Sequence, residues 1–334
     1  MSSSQISQLL DEIGINFHLA DSVEVCIECA PGVHRTREQW ESFLTELTTR
    51  SSLPLSRASF GVQSFDEQTL QDMGRQGGIR AAQDLLYAVD AVVPVYNIDI
   101  ILGYPGQPQD FSVTEAAAKS LSSIEDLIDS GVRLPSLSLY QLWDTDTIRV
   151  GRHANYPEKE KVLAAKWFLQ EGLFGLGYNP SVISALIRDD KFEHVWAKHR
   201  HIDFRHVGMG SGIYSILPHE LVQRPRDIEG YIQRFSVSAS ADFTDICYSL
   251  NDEEVLIRQI IMGLRSYNWI DVSEASGRRE EYSQLNEVIE KTERLISTGL
   301  IECHDNRIRL MRESFMIANE ISSYLHPTSY PRKI

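Results

Sequence analysis

Four polar residues lie near the ends of predicted strands or within one, in the first hundred residues of the chain: Glu28, Gln63, Arg75 and Asp99. Asp99 lies inside Val95–Leu102, the most apolar strand that the sequence predicts. An ionised carboxylate in such a strand is costly unless it is paired or bound to a ligand. Asp99 is therefore a candidate functional residue, with an ion pair to Arg75 as the structural alternative. Polar groups that converge above a sheet would suit a small polar ligand.

Strands and helices alternate through the first 150 residues. The apolar or alternating runs that predict strands are 23–29, 57–63, 95–102 and 136–140. The helical runs are 5–14, 36–49 with Thr36 as its N-cap, one capped by Asp66, 79–91 and 110–130. This alternation is typical of βαβ units, so we expect an α/β fold with a parallel sheet or barrel. The binding site of such a fold lies at the carboxyl ends of its strands.

The pattern changes after residue 150. Helices are predicted at 157–171, 252–266, 281–298 and 312–325. The run from Ile301 to Leu310 predicts a hairpin with Asp305-Asn306 at its turn. Helices followed by a hairpin resemble a winged-helix module. We therefore divide the chain into 1–150, a connecting segment 151–245 and a C-terminal domain 246–334.

The composition narrows the class of protein. The 334 residues carry a net charge of −15 and contain no run of more than two basic residues, so we expect no nucleic-acid partner and a packing role for the C-terminal module. No apolar run approaches the roughly 18 residues of a membrane helix. The first residues lack the features of a secretory signal, and four cysteines do not make a disulfide framework. We expect a cytoplasmic protein.

Short motifs occur along nearly the whole chain in the order of a known family. They are Glu28-Cys-Ala-Pro-Gly32, Gly61-Val-Gln-Ser-Phe-Asp66, Gly74-Arg75, Ile98-Asp-Ile-Ile-Leu-Gly-Tyr-Pro-Gly-Gln107, Leu137-Ser-Leu-Tyr-Gln-Leu142, Gly208-Met-Gly-Ser-Gly-Ile-Tyr-Ser215 and Met262-Gly-Leu-Arg265. Each motif alone is weak, whereas the ordered set is specific. The chain resembles the oxygen-independent coproporphyrinogen oxidases and haem chaperones of the radical S-adenosylmethionine (SAM) superfamily.

The resemblance implies a radical-SAM-type (β/α) barrel, SAM as cofactor beside a [4Fe–4S] cluster, and a tetrapyrrole substrate. It also implies that Glu28, Gln63, Arg75 and Asp99 contact SAM. The chemistry agrees, because carboxylates favour sulfonium and ammonium cations and accept hydrogen bonds from ribose hydroxyls. An arginine fork suits the methionine carboxylate. Which residue meets which group stays open.

The sequence departs from the family in one respect: it contains neither the cluster motif Cys-x-x-x-Cys-x-x-Cys nor the Gly-Gly-Gly-Thr-Pro strand end. Cys26 and Cys29 have a spacing that could suit a metal or a redox pair. An offset of three in a strand places the two side chains on opposite faces, so we disfavour both. Cys247 and Cys303 are isolated. We expect a partial barrel that lacks its first strands and no metal ligands in this sequence.

Three explanations of this departure stay open. The coding region is truncated, a separate chain supplies the cluster segment, or the protein has lost the chemistry and kept a binding role. A sheet without two of its parallel strands exposes an edge, which favours a missing piece. We expect no SAM cleavage by this polypeptide alone.

Four histidines, His194, His199, His201 and His206, lie close together in the sequence. They could ligate haem iron. The alternative is a solvated segment of mixed charge, which the interleaved lysines, arginines and acids favour. The expected function is that of a radical SAM protein acting on a tetrapyrrole. The alternatives are a haem- or porphyrin-binding protein without radical chemistry and a truncated gene product.

Overall fold

A computed structural model describes residues 1–31, 35–49, 52–75, 77–104, 113–142, 156–182, 184–188, 203–237 and 246–328. The chain forms two compact units. Unit 1 comprises residues 1–180 and 184–193, and unit 2 comprises 181–183 and 194–334. The division into three segments stays a prediction.

Unit 1 is built on a six-stranded sheet in the order β1-β2-β3-β4-β6-β5. Its strands are β1 (Cys26–Cys29), β2 (Arg57–Gln63), β3 (Val95–Leu102), β4 (Ser136–Gln141), β5 (Asn179–Pro180) and β6 (Ala185–Ile187). The first four strands are parallel to one another, while β6 runs antiparallel to both β4 and β5. The predicted α/β fold with a parallel sheet is confirmed. The sequence did not predict β5 and β6, because two or three residues are too few to show a period.

Six helices of unit 1 lie within the residues that the structure describes. They are α1 (Ser3–Asn16), α2 (Arg37–Thr49), α3 (Glu67–Asp72), α4 (Gly78–Val92), α5 (Val113–Asp129) and α6 (Lys159–Gly175). One face of the sheet is apolar and fully buried, as Phe60, Ile98 and Leu137 illustrate. The Trp40 ring of α2 meets Phe60 edge-on, with 6.4 Å between ring centroids. Burial of this face is the main hydrophobic contribution to the stability of unit 1.

Side chains at two helix starts act as the sequence predicts. The Thr36 hydroxyl accepts the backbone N–H of Gln39, whose side chain accepts the N–H of Thr36 in return. Asp66 caps α3 by accepting the N–H of Thr69 at 2.8 Å. Asp66 also binds the Lys119 ammonium of α5 at 2.6 Å, so it ties the chain after β2 to the helix that follows β3. Both predicted caps are confirmed.

Unit 2 contains a three-stranded antiparallel sheet and a helical module. The sheet consists of β7 (Tyr214–Leu217), β8 (Glu220–Gln223) and β9 (Ile246–Ser249), with α7 (Ile228–Val237) between the last two strands. The module consists of α8 (Asp252–Leu264), β10 (Ile270–Asp271), α9 (Ser273–Gly277), α10 (Ser283–Ser297), β11 (Ile301–His304), β12 (Arg307–Leu310), a 3₁₀ helix (Glu313–Ile317) and α11 (Ala318–Leu325). A helix, a strand, two helices and a hairpin follow one another as in a winged helix.

The hairpin of unit 2 is confirmed at its predicted turn. Strands β11 and β12 pair antiparallel, with His304 opposite Arg307. Asp305 and Asn306 between them have φ angles of 49° and 61°. Two successive positive φ angles characterise the type I′ turn, which matches the twist of the flanking strands and which Asn and Asp tolerate better than most residues.

No helix in the part of the chain that the structure describes is both long and apolar enough to cross a bilayer.

The first prediction concerns Asp66. Burial raises the pKa of its carboxyl, but hydrogen bonds from Lys119 and Thr69 outweigh burial and leave the pKa below its usual value. Asp66→Ala should lower the free energy of unfolding by about 1–2 kcal/mol at neutral pH, since it removes a helix cap. Because the folded-state pKa is depressed, this difference should be lost as the pH falls through that pKa. Urea denaturation measures it, with the exposed Asp21→Ala as control. Equal losses for the two variants would contradict the capping role.

Candidate functional site

The sheet of unit 1 has a second face, and that face is polar. Side chains alternate across a strand, so register partners on neighbouring strands share a face. Glu28 pairs with Ser59, Ser59 with Asn97, and Asp99 with Ser138. We call this surface the polar face and define it by Glu28, Ser59, Gly61, Asn97, Asp99, Ser136, Ser138 and Tyr140. The apolar side chains between them in each strand form the opposite, buried face.

The amide of Asn97 stands at the centre of the polar face. Its Nδ2 lies 3.0 Å from Ser59 Oγ, 2.9 Å from Asp99 Oδ1 and 3.0 Å from Ser138 Oγ. Its Oδ1 accepts the hydroxyl of Ser136 at 2.7 Å. Asn97 is buried, with 3% of its surface exposed, so this network replaces water for the amide. It fixes the side chains of β2, β3 and β4 relative to one another.

Asp99 is one of the two carboxylates of the polar face, with Glu28. Burial raises the pKa of its carboxyl to about 6, against hydrogen bonds from Ser138 and Asn97 that lower it, and the nearby charge of Glu28 raises it further. The partners of Asp99 in the described part of the chain are thus neutral groups, and no ion pair with Arg75 occurs there. The structural partners of Asp99 are Asn97 and Ser138 rather than Arg75, and its functional role stays a prediction. At neutral pH the site holds a half-buried carboxylate, and no residue that the structure describes forms an ion pair with it.

Gln63 and Arg75 meet above Gly61. The strand pair is irregular here, since Phe60 pairs with Ile98 whereas Gln63, with φ at 72°, pairs with Ile100. A β-carbon added to Gly61 would lie 2.3 Å from Gln63 Nε2 and 3.7 Å from Arg75 Nη2. Gly61 therefore leaves room for both side chains above β2.

The acceptor oxygen of the Gln63 amide is left without a donor. Its Oε1 is buried and has no hydrogen-bond partner among the described residues. A buried polar atom without a partner costs free energy, which a ligand with a donor group would recover. The structure thus brings all four predicted residues, Glu28, Gln63, Arg75 and Asp99, to one face of the sheet.

Known proteins resemble this chain in sequence and in fold. Over 280 residues the chain is 25% identical to the oxygen-independent coproporphyrinogen III oxidase of Salmonella typhimurium, a match that covers 79% of the chain. Over 142 residues it is 26% identical to the heme chaperone HemW of Haemophilus influenzae, a match that covers 42% of the chain. Coproporphyrinogen III oxidase (HemN) from Escherichia coli, described as a radical SAM enzyme, superposes with a TM-score of 0.72 at 20% identity. The superposition covers 98% of this chain and 75% of that one. No protein-family model matches.

The chain is thus similar in sequence to HemN-type coproporphyrinogen III oxidases and to the heme chaperone HemW. The predicted resemblance to coproporphyrinogen oxidases and haem chaperones is confirmed, and so is the predicted α/β fold with a parallel sheet. The matched segment spans 57% of the length of the Salmonella oxidase and 32% of the length of the Haemophilus chaperone. The match therefore covers only part of each curated relative.

The sequence analysis did not predict the uncharged residues of the polar face, which are Ser59, Asn97, Ser136, Ser138 and Tyr140. The signal was the alternation of polar and apolar residues in Asn97-x-Asp99 and in Ser136-x-Ser138-x-Tyr140. A period of two assigns these residues to one face of the sheet. Asp99 was predicted because a buried charge is costly, whereas a neutral hydroxyl or amide is less costly to bury and gives a weaker signal.

The cysteines of β1 do not suit an iron–sulfur cluster. Cys26 pairs in register with Arg57 and Cys29 with Phe60, so the two thiols point to opposite faces. Desolvation raises the pKa of Cys26 to about 11 and also raises that of Cys29. Metal ligation needs the thiolate, which these pKa values disfavour. Cys247 and Cys303 are exposed and lie on β9 and β11, apart from one another.

Of the four histidines, only His206 lies within the described residues. Its backbone pairs with Ile216 of β7 in an isolated bridge. His194, His199 and His201 lie outside the described residues, so haem ligation by this segment stays a prediction.

The second prediction concerns the free energy of unfolding that is lost because the Asp99 carboxylate is desolvated. Its folded-state pKa, about 6, lies above the ordinary value of 3.8. The contribution of Asp99 to stability therefore falls as the pH rises between these values and is least favourable above them. Asp99→Asn should therefore raise the free energy of unfolding by up to about 2 kcal/mol near pH 8. The gain should shrink to roughly a third of that value near pH 4.5.

Urea denaturation at the two pH values measures this difference. Asp21→Asn, an exposed site in the same unit, is the matched control and should change little at either pH. A gain for Asp99→Asn that is the same at both pH values, or a loss near pH 8, would contradict the desolvated carboxylate.

Proposed function

We propose that the polar face of unit 1 binds SAM and that the chain is part of a radical SAM protein that acts on or binds a tetrapyrrole. The observation that carries the proposal is the convergence of Glu28, Gln63, Arg75 and Asp99 on one face of a parallel sheet. Homology to coproporphyrinogen III oxidase and to the heme chaperone supports the tetrapyrrole.

The unpaired groups of the site match those of SAM. SAM carries a sulfonium and an ammonium cation, and Asp99 and Glu28 offer carboxylates without a basic partner in the described part of the chain. Its carboxylate suits the guanidinium of Arg75. Its adenine and ribose offer donors to the buried Oε1 of Gln63. Because Gly61 has no side chain, a ligand can approach the backbone of β2 at this position.

The residues fit SAM but not the cluster. Beside a reduced [4Fe–4S] cluster, bound SAM is the source of a 5′-deoxyadenosyl radical. The cysteines of this chain do not suit such a cluster, so we assign its ligands to residues outside this sequence, on a longer chain or on a separate one. The chain's own part is to bind and orient SAM, with Asp99 ionised and held by Asn97 and Ser138.

The second candidate is haem or porphyrin binding without radical chemistry. The match to the heme chaperone HemW, 26% identical over 142 residues, favours it. A saturable shift of the haem absorption band that is lost on His→Ala changes at His194, His199, His201 and His206 would support this candidate. The two candidates differ in whether SAM binds.

The third prediction is that SAM binds the chain in a 1:1 complex through the polar face. Arg75→Gln, Asp99→Asn and Gly61→Ala should each weaken binding about tenfold or more, since a hydrogen bond to a charged group contributes roughly 1.5–3 kcal/mol. In Gly61→Ala the new methyl group displaces Gln63. Arg80→Gln changes an arginine whose side chain is 91% exposed and should leave the affinity unchanged. Isothermal titration calorimetry measures all four variants.

Two results would decide against the proposal. Either the unsubstituted chain gives no saturable heat with SAM, or the three site variants bind as tightly as Arg80→Gln does. Asp99→Asn is expected to be more stable than the natural chain, so weak binding by that variant cannot come from unfolding. Formation of 5′-deoxyadenosine by this polypeptide alone after cluster reconstitution would instead contradict the assignment of the cluster to other residues.

A further inference from the structure

Unit 2 contains a cavity of about 430 Å³ that the proposed SAM site does not use. Its walls come from β7, β8, α8 and α11, and they include Ile216, Leu221, Ile257 and Ile261. Small-molecule sites in proteins usually measure roughly 300–1,000 Å³ and have mostly apolar walls. The cavity has that size and character. No residue of the polar face lines it, so the inference is independent of the proposed function.

One partly buried charged side chain in this apolar wall has no counter-ion among the residues that the structure describes. Arg258 of α8 donates to the backbone carbonyls of Leu217, at 3.2 Å, and of Pro218. Its guanidinium lies 4.0 Å from the centre of the Phe204 ring. Its Nε is buried and has no hydrogen-bond partner, and no carboxylate pairs with Arg258 among the residues that the structure describes.

Arg258 remains charged although it is partly buried. Desolvation lowers the pKa of the guanidinium to about 10, which still keeps it protonated at neutral pH. A buried cation without an anion is unfavourable, and a ligand anion would relieve that cost. An arginine also offers a planar pair of donors that matches a carboxylate.

The other charged groups of the cavity wall are held by protein partners. Glu254 accepts the N–H of Asn251 at 2.8 Å, as part of the cap of α8. Arg265 donates to the side chain of Asn319 at 2.9 Å. Arg258 is thus the group that a ligand anion can meet without breaking a side-chain pair seen in the structure.

We propose that this cavity binds a small carboxylate with an apolar body, whose carboxylate pairs with Arg258. The body lies against Ile216, Leu221, Ile257 and Ile261. Two features of the site define this class of ligand: the apolar wall selects the body, and the unpaired cation selects the charge.

The test uses octanoate and 1-octanol as probes, titrated into the full chain by isothermal titration calorimetry. Octanoate should bind 1:1 and at least about tenfold tighter than octanol, which has the same chain and no charge. Arg258→Gln should weaken octanoate binding about tenfold and leave octanol binding unchanged. Arg307→Gln, an exposed arginine of β12, is the matched control. Leu221→Trp fills the cavity and should abolish the binding of both probes.

Each outcome decides for or against the site. Equal affinity for octanoate and octanol, or no binding of octanoate, would overturn the proposal even if Arg258→Gln fails to fold. A folded Arg258→Gln variant that binds octanoate as tightly as Arg307→Gln does would also overturn it, and so would undiminished binding by Leu221→Trp. Circular dichroism establishes the folding of each variant.

Discussion

The cost of burying the Asp99 carboxylate within a parallel sheet is the constraint on which the site of unit 1 depends. Charge in an apolar environment is tolerated only when polar groups replace water. Here the replacements are neutral: the Asn97 amide at 2.9 Å and the Ser138 hydroxyl. They are too weak to restore an ordinary pKa, which stays raised to about 6. The sheet therefore holds an anion that its own residues leave partly unsatisfied.

The rest of unit 1 serves to hold that anion in place. The apolar face of the sheet packs against helices, and its strands keep the register that places Ser59, Asn97 and Ser136 side by side. This packing and the Asn97 network restrict the movement of Asp99 away from its neighbours. A site that is stabilised from behind by a hydrophobic core can retain an unfavourable charge, at a cost in stability.

The longest elements could be predicted from the sequence, and the network of the site could not. Strands 57–63 and 95–102 have the predicted bounds. In the first, Ala58, Phe60 and Val62 alternate with polar residues and a glycine, and the second is a nearly continuous apolar run. The four-residue strands of β7, β8 and β9 were missed because they are too short to show a period. Asp99 was predicted from its charge, whereas Asn97 was not, because its role depends on register with β2 and β4. Gln63 and Arg75 lie near each other above Gly61 because the pairing of β2 with β3 is irregular there. The residue types in this stretch do not predict that irregularity.

The most direct test of the account is the pKa of Asp99 measured by carbon NMR of its carboxyl group, without SAM and at saturating SAM. The free protein should give a value of about 6. Because the cationic groups of SAM favour the ionised carboxylate, bound SAM should lower the pKa toward its ordinary value. A pKa that is unchanged or raised at saturating SAM would mean that the ligand does not meet the buried carboxylate, and would contradict the account.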